Sequence, residues 1–355
     1  MIVLYITYVN SDEIFSGSGV RPAKMLNAFK QEGHEVIVLQ GEQVSKERLS
    51  NIKKIRKQIK RKRPDLCYIE SPTYPIMRHA DRKLIKDICK AGIPTGYFYR
   101  DFYWQFPKEF PRRTSISGKI KDKVLLFLQS LTNKVLKYCN IIYVPSDECK
   151  TLLKYHDIRA LPPAGENKLD LHIRDNNQTG IYVGGISGHY DGKFLLDVFN
   201  ELNACDPEYK LILVCRENEW NEFNHSCKNA SWLEVHHISG AGLVDLYRRA
   251  SIAFNVGNPK YEYSQFAISV KIFEYLSYGL PQVVINNKAI TNVVNNEKIG
   301  IAVEPDIKKF AIAIKKLSED SSLYKTYQNN IKESLLYRNL WIHRIQQVIR
   351  DLTES

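Results

Sequence analysis

A chain of 355 residues, 44% hydrophobic and 11% aromatic, is long enough for two core-bearing domains and too apolar for a disordered polymer. Its seven cysteines, odd in number and without a C-x-x-C spacing, argue against a disulfide framework or a zinc ribbon and fit a reducing, cytosolic setting. The net charge of +12 is unevenly spread: residues 1–170 hold 31 Lys+Arg against 18 Asp+Glu, so nearly all the excess lies in the first half.

The chain opens on an apolar strand at residues 2–8 that runs straight into Asn10, Ser11, Asp12 and Glu13. Without a basic leader this reads as a first strand, not a signal peptide. A helix over 21–32, ended by Gly33, and a strand over 35–39 follow. Gly17 and Gly19 fall in the first crossover loop, where backbone N–H groups can approach phosphate. G-x-G without the third glycine is short of a dinucleotide fingerprint. Residues 53–63 (KKIRKQIKRKR) carry eight basic residues ahead of a strand at Leu66–Glu70. They suit a solvated helix face or an anionic membrane surface. The aromatic interleaving of a nucleic-acid platform is missing there, so no nucleic-acid partner is expected. Strands over 94–99 and Ile141–Val144 flank residues 119–137, which interleave lysines with an apolar stripe and read as a partly buried helix or a membrane-seated one. Alternating strands and helices argue for a doubly wound parallel sheet. No apolar run approaches the ~18 residues of a membrane span, so a soluble or at most peripheral protein is expected.

LPPAG at 161–165 and the polar stretch to Thr179 read as a linker, after which GIYVGGISG opens a second α/β series. A helix over 193–203, a strand over 211–215, an alternating segment near 233–238, a helix over Leu243–Arg249 and a strand over 251–256 continue it. His236 and His237 on the alternating segment read as structural, and Cys139 and Cys215 as small buried hydrophobes. The most informative segment is SVKIFEYLSYGLPQVV at 269–284. It places Lys271 and Glu274 three apart on one face near the start of a short helix that Gly279 ends and Pro281 keeps from resuming, ahead of a strand at Gln282–Ile285. The unit is strand, long loop, helix, strand, with its loop at the carboxyl edge of a parallel sheet, where open α/β sheets bind ligands. A cation near a helix N-terminus suits phosphate, and a carboxylate suits two vicinal hydroxyls. Together they would hold a nucleoside diphosphate. A last helix over 335–352 is aromatic and basic, with Trp341 as a possible anchor.

The 269–284 segment resembles the nucleotide-binding signature of retaining GT-B glycosyltransferases of the "group 1" or family 4 type, where the glutamate grips the ribose. VPSDECKTLL with LPPAG, GIYVGGISG, and ISGAGLVDLYRRASIAFNVGN resemble, in order, the family's exit from the first domain, the opening of the second and the stretch before the signature. The resemblance implies an α/β fold of two Rossmann-like, doubly wound parallel-sheet domains facing across a cleft. An acceptor-binding domain is expected over 1–168, a nucleotide-sugar domain over 178–335, and a terminal helix over 336–355 packing back on the first. It also implies transfer of a sugar, of the hexosyl type, from a nucleoside diphosphate sugar (a UDP-sugar favoured) to a cell-surface polysaccharide or lipid-linked oligosaccharide. Retention of configuration and a cytoplasmic seat, at most peripheral to the inner face of the cell membrane, complete the expectation.

Two positions depart from the family pattern. Phe266 stands eight before Glu274 where the family usually has an acid, with Glu262, Ser264 and Gln265 as the nearest substitutes. Gly185 stands where the family often has arginine, and Lys193 is displaced. Phosphate binding would then rest on Lys271, Arg216 and the Gly184–Gly185 and Gly17–Gly19 backbone. No D-x-D occurs, so no metal and no cofactor are expected, and positive side chains and helix N-termini would supply the electrostatics. In YFYRDFYWQFP (97–107), Arg100 and Asp101 follow a strand where the family often has a catalytic histidine or aspartate; they are the catalytic candidates, with a structural ion pair as the alternative. Tyr103 and Trp104 could stack on a sugar or fill a core. The same fold hosts sugar-nucleotide epimerases, and a catalytically silent partner subunit would also keep it.

Overall fold

Short apolar runs such as IVLYI, LILV and QVVI build two six-stranded sheets in which every neighbouring pair is parallel. A computed structural model describes residues 1–10, 17–110, 113–169, 178–204 and 208–354. The chain divides into a first unit, Met1–Pro163 with Trp341–Ser355, and a second, Ala164–Leu340.

The first unit holds β1 (Ile2–Ile6), β2 (Glu35–Leu39), β3 (Leu66–Glu70), β4 (Thr95–Phe98), β5 (Ile141–Val144) and β6 (Ile158–Ala160) in the order β2-β1-β3-β4-β5-β6. The inner strands β3, β4 and β5 are buried along their whole length, as parallel strands covered on both faces must be. Its helices are α1 (Gly17–Gln31), α2 (Lys46–Arg61), α3 (His79–Lys90) and α4 (Ile116–Leu136). The second unit holds β7 (Thr179–Val183), β8 (Lys210–Val214), β9 (Leu233–His236), β10 (Ile252–Asn255), β11 (Gln282–Ile285) and β12 (Gly300–Val303) in the order β12-β11-β10-β7-β8-β9. Around it run α5 (Gly192–Leu202), α6 (Glu217–Glu222), α7 (Leu243–Arg249), α8 (Val270–Ser277), α9 (Lys288–Glu297), α10 (Ile307–Glu319) and α11 (Ser321–Arg338). The strand order reverses between β1 and β3 in one sheet and between β7 and β10 in the other, and ligands of open α/β sheets bind outside the carboxyl ends at such points.

Two expectations are corrected. Gly17 and Gly19 do not lie in a loop: α1 begins at Gly17, so they form its first turn. Glycine's poor helix propensity placed the start at residue 21, but a first turn needs only helical backbone, and its N–H groups are unpaired within the helix. The single helix expected over 335–352 is two. It breaks at Asn339 and Leu340, where Gly165 N donates to Asn339 O (2.8 Å) and bridges Leu340. Buried Asn339 seals the break by donating to Ser334 Oγ (2.9 Å) and Glu297 Oε1 (3.2 Å). The second unit begins at Ala164.

The terminal helix α12 (Trp341–Thr353) belongs to the first unit. Arg344 donates to the Pro162 and Pro163 carbonyls (both 2.9 Å), and Asp351 pairs with Arg159 (2.7 Å). Buried Trp341 lies 6.0 Å from the Arg21 guanidinium, which sits 3.6 Å above Phe98 and pairs with Glu70 at 3.0 Å. Residues 53–63 cover an exposed face of α2 and its end. Ile52 and Ile55 turn inward, Arg56 pairs with Asp87 (2.7 Å), and Arg63 donates to the Ala91 carbonyl (2.7 Å). No helix among the described residues is long and apolar enough to cross a membrane.

Candidate functional site

The site is built at the β7/β10 switch point of the second unit. β7 ends at Val183, and the chain turns through Gly184 at φ +145°, a left-handed conformation that favours glycine. Gly184 N donates to Val214 O (2.8 Å), tying the loop to the end of β8. The loop after β10 is zipped to it: Asp191 N donates to Val256 O (3.0 Å) and Asn258 N to His189 O (2.9 Å). Asp191 then caps α5, its carboxylate accepting from Phe194 N.

Helix α8 meets this rim through Lys271. Ser269 caps it, accepting from Lys271 N at 3.3 Å. Gly279, at φ +69°, lets it end. Its apolar residues Ile272, Phe273, Tyr275 and Leu276 are buried, so Lys271 and Glu274 are left together on the half-buried side. Lys271 lies across Gly184: a Cβ there would be 2.1 Å from Nζ. Its ammonium donates to the Tyr182 hydroxyl (3.2 Å) and sits over the Tyr182 and Tyr190 rings at 4.5 and 4.2 Å. Burial among these rings pushes its pKa down to about 7, against the pull of Glu274 and Glu219. Glu274 forms no ion pair among the described residues. Burial raises its pKa, while the Tyr247 hydroxyl and the Lys168 and Lys271 ammoniums act the other way.

Arg216 precedes α6 and is exposed, ion-paired to Glu219. The second oxygen of Glu219 accepts from Ile186 N (3.0 Å), so one carboxylate holds both the arginine and the glycine loop. Glu219, Tyr182 and Tyr190 were not singled out from the sequence. The i, i+3 spacing of Arg216 and Glu219 was a legible signal; the tyrosines had none. At the departures from the family pattern, Phe266 is half-buried. Ser264 and Gln265 are engaged by buried Asn287, whose Oδ1 accepts from both at 3.3 Å. Gly185 leaves room for Tyr190, whose ring would lie 2.7 Å from a Cβ at 185.

Gly184, Gly185, Arg216, Lys271 and Glu274 are thus brought together, and the chemistry on offer is capture of an anion beside a hydroxyl acceptor. Gly17, Gly19, Arg100 and Asp101 belong to the first unit. There Arg100 pairs with Asp101 at 2.9 Å just past β4, and Ser71 Oγ accepts from Arg100 N (3.1 Å). Among the described residues no group of His, Cys, Asp and Glu could hold a metal ion. His237 faces the Cys215 carbonyl (2.9 Å) and His236 pairs with Glu234. Gly184→Ala is expected to cost about 1–3 kcal/mol, read from the denaturation midpoint, and to dislodge Lys271. An unchanged midpoint would show that the loop tolerates the side chain.

Residues 177–320 match the family model "Glycosyl transferases group 1". No curated protein matches the chain at a significant level. Among solved structures, the Anabaena protein Alr3699/HepE in complex with UDP superposes with a TM-score of 0.66 at 13% identity, covering 100% of both chains. A glycosyltransferase from Rickettsia africae gives 0.64 at 12% over 99% of this chain and 98% of that one. WaaG, a glycosyltransferase involved in lipopolysaccharide biosynthesis, gives 0.62 at 11% over 100% of both. The architecture is the α/β GT-B fold.

Proposed function

We propose that this protein is a glycosyltransferase that moves a hexosyl group from a nucleoside diphosphate sugar, a UDP-sugar, to a cell-surface polysaccharide or lipid-linked oligosaccharide with retention of configuration. The observation that carries the reading is the pairing of Lys271 and Glu274 on one face of α8 at the switch point, inside the segment that matches the family. Lys271 and Arg216 would bind the diphosphate with the backbone of Gly184 and Gly185, and Glu274 would accept from the ribose hydroxyls. As the bond to the donor sugar breaks, negative charge grows on the departing diphosphate, and the Lys271 ammonium and the α8 N-terminus are placed to stabilise it. The mechanism is read as metal-independent, with these groups supplying the charge. In the first unit, Asp101, oriented by Arg100, would position the acceptor hydroxyl, and the N–H groups of the Gly17–Gly19 turn would bind phosphate. Uridine is favoured because HepE was crystallised with UDP, and a cell-surface acceptor because WaaG acts in lipopolysaccharide biosynthesis.

Calorimetric titration with UDP, GDP and ADP tests the donor site, with UDP expected to bind in the micromolar range. No binding of any would favour a silent partner subunit, to which the missing acid at Phe266 points. Product analysis with a UDP-sugar alone separates the transferase from an epimerase, which needs no acceptor. Asp101→Asn is expected to slow transfer about tenfold or more with UDP affinity unchanged; an equal loss of both would assign the Arg100–Asp101 pair to structure.

A cytoplasmic seat against the inner membrane face is part of the proposal. Supporting it, the outer face of α4 exposes Ile116, Ile120, Val124 and Phe127, flanked by Lys119, Lys121 and Lys123, and α2 adds a basic face. Lysines and arginines near an anionic leaflet contribute about 1 kcal/mol each. The protein is expected to co-sediment with anionic vesicles at low salt and to be released at high salt. Equal partition onto neutral vesicles would remove the electrostatic part.

A further inference from the structure

A cavity within the first unit uses none of the donor-site residues. It measures about 440 Å³, in the range of small-molecule pockets. Tyr97, Tyr99, Tyr103, Trp104, Phe110 and Leu126 supply much of its wall, and Asp101 stands on its lining. It lies between the chain leaving β4 and the inner face of α4.

Many polar atoms of this wall are already engaged by protein partners. Trp104 Nε1 and Gln129 Nε2 both donate to the Tyr99 hydroxyl at 2.9 Å, and Gln129 also donates to Asn133. The Thr132 hydroxyl accepts from Ile76 N and donates to Leu128 O. Ser71 accepts from Arg100 N, Thr73 accepts from the Arg100 guanidinium, and Asp122 accepts from Arg113 N. A sugar loses hydrogen bonds to water on entering a pocket and needs replacements; the groups just named are already partnered. Rings, prolines and leucines make up most of the lining, beside Asp101, Arg113 and Asp122, and that apolar majority suits hydrocarbon. A second concavity of about 340 Å³ shares Trp104, Leu126 and Gln129 with the first and adds Lys134 and Lys137, with no carboxylate on its lining. An apolar chamber continued by two lysines complements an amphiphile with an anionic head.

We propose that this cavity binds the hydrocarbon chain of a phosphate-bearing lipid, with Lys134 and Lys137 meeting the phosphate. As the lipid end of the acceptor this rests on the glycosyltransferase reading, and it narrows that acceptor to the lipid-linked class. The chain lies against the rings and leucines of the cavity while the phosphate faces the lysines on α4.

The test titrates the full-length protein with hexyl, octyl and decyl phosphate below their micellar concentrations, with inorganic phosphate and methyl glucoside as chain-free probes and UDP on the same preparation. Affinity is expected to rise about three- to fourfold per added methylene, with both chain-free probes at least a hundredfold weaker than decyl phosphate. Leu126→Trp, which fills the chamber, is expected to flatten that series while UDP binding and the melting temperature stay as in wild type. Tyr103→Ala, at a half-exposed position, is expected to weaken decyl phosphate tenfold and serves if the first variant does not fold. Lys134→Glu with Lys137→Glu is expected to weaken decyl phosphate at least fivefold and decanol not at all. A flat series in wild type, a series unchanged by both cavity variants, a loss produced instead by Phe127→Ser on the outer face of α4, or binding of methyl glucoside comparable to decyl phosphate would each overturn the proposal. The cavity result and the donor reading fail separately: UDP silence with a steep alkyl series refutes the donor site alone, and the converse refutes the cavity alone.

Discussion

Replacing Lys271 by methionine is expected to make the unliganded protein more stable and the enzyme a hundred- to a thousandfold slower. The first half follows from linkage. The folded ammonium is buried among Tyr182, Tyr190 and Gly184 and titrates at about 7, below its ordinary value of 10.5. Between those two pH values the unfolded chain binds more protons at this position than the folded one, so its contribution to stability rises with pH across that window. Below about pH 7 the cost of the buried cation is felt in full; above about 10.5 it is gone. Methionine fills the same slot without a charge. The melting temperature of Lys271→Met should therefore exceed that of wild type most clearly at pH 6, by about 2–4 °C for each kcal/mol recovered, and the difference should shrink as pH rises. The second half follows because a preorganised cation facing a departing diphosphate contributes about 10²–10³ in rate. A diphosphate beside Lys271 favours the ammonium, so UDP should bind with uptake of close to one proton at pH 8, measurable by calorimetry in buffers of different ionisation enthalpy. Methionine abolishes that uptake. A variant no more stable than wild type at pH 6, together with proton-neutral UDP binding, would place Lys271 outside the phosphate site.

What the sequence showed and hid at this site has a physical basis. The α8 segment was legible because its signals are local: apolar residues at helical spacing, Gly279 to end the helix, Pro281 after it, and two charges three apart. The parallel strands were legible as short apolar runs. The β1–α1 connection misled because a helix start at glycine is set by tertiary contacts, here Arg21 reaching Glu70 across 49 positions, and not by propensity. The 335–352 region read as one helix because its periodicity continues; the break comes from Gly165, some 170 residues away. β12, α9 and α10 were passed over because the signature seemed to close the series, though their pattern is ordinary. The aromatic cradle of Lys271 was invisible for a further reason. Tyr182 and Tyr190 lie on a strand and a loop that meet α8 only in the folded unit, and a tyrosine in a strand carries no mark of what its ring will cover. The cavity of the first unit was foreshadowed only by the aromatic run at 97–107, which by itself fits a core as well as a pocket.

Glu274→Ala is expected to weaken UDP binding by about 10²–10⁴ and to remove the protein's preference for UDP over 2′-deoxy-UDP. A carboxylate that accepts from both ribose hydroxyls makes two charge-assisted hydrogen bonds, each contributing about 1.5–3 kcal/mol. In the free protein the carboxylate has no ion-pair partner among the described residues, and burial raises its pKa. It is therefore held ready for donors at some cost to stability, as Lys271 is for an anion. The two shifts bound the working pH from opposite sides: acid protonates Glu274 and removes its acceptor, and alkali neutralises Lys271 and removes the charge. UDP affinity should accordingly peak between them and fall on both flanks. In Glu274→Gln one carbonyl oxygen remains to accept, so the loss should be near tenfold, and the acid flank should flatten while the alkaline flank persists. Pairing each variant with each ligand isolates the contact: wild type should prefer UDP to 2′-deoxy-UDP by about tenfold and Glu274→Ala should not distinguish them. If the alanine variant kept that preference, the ribose would lie elsewhere, and the proximity of Lys271 and Glu274 would be no more than a helix-surface pair.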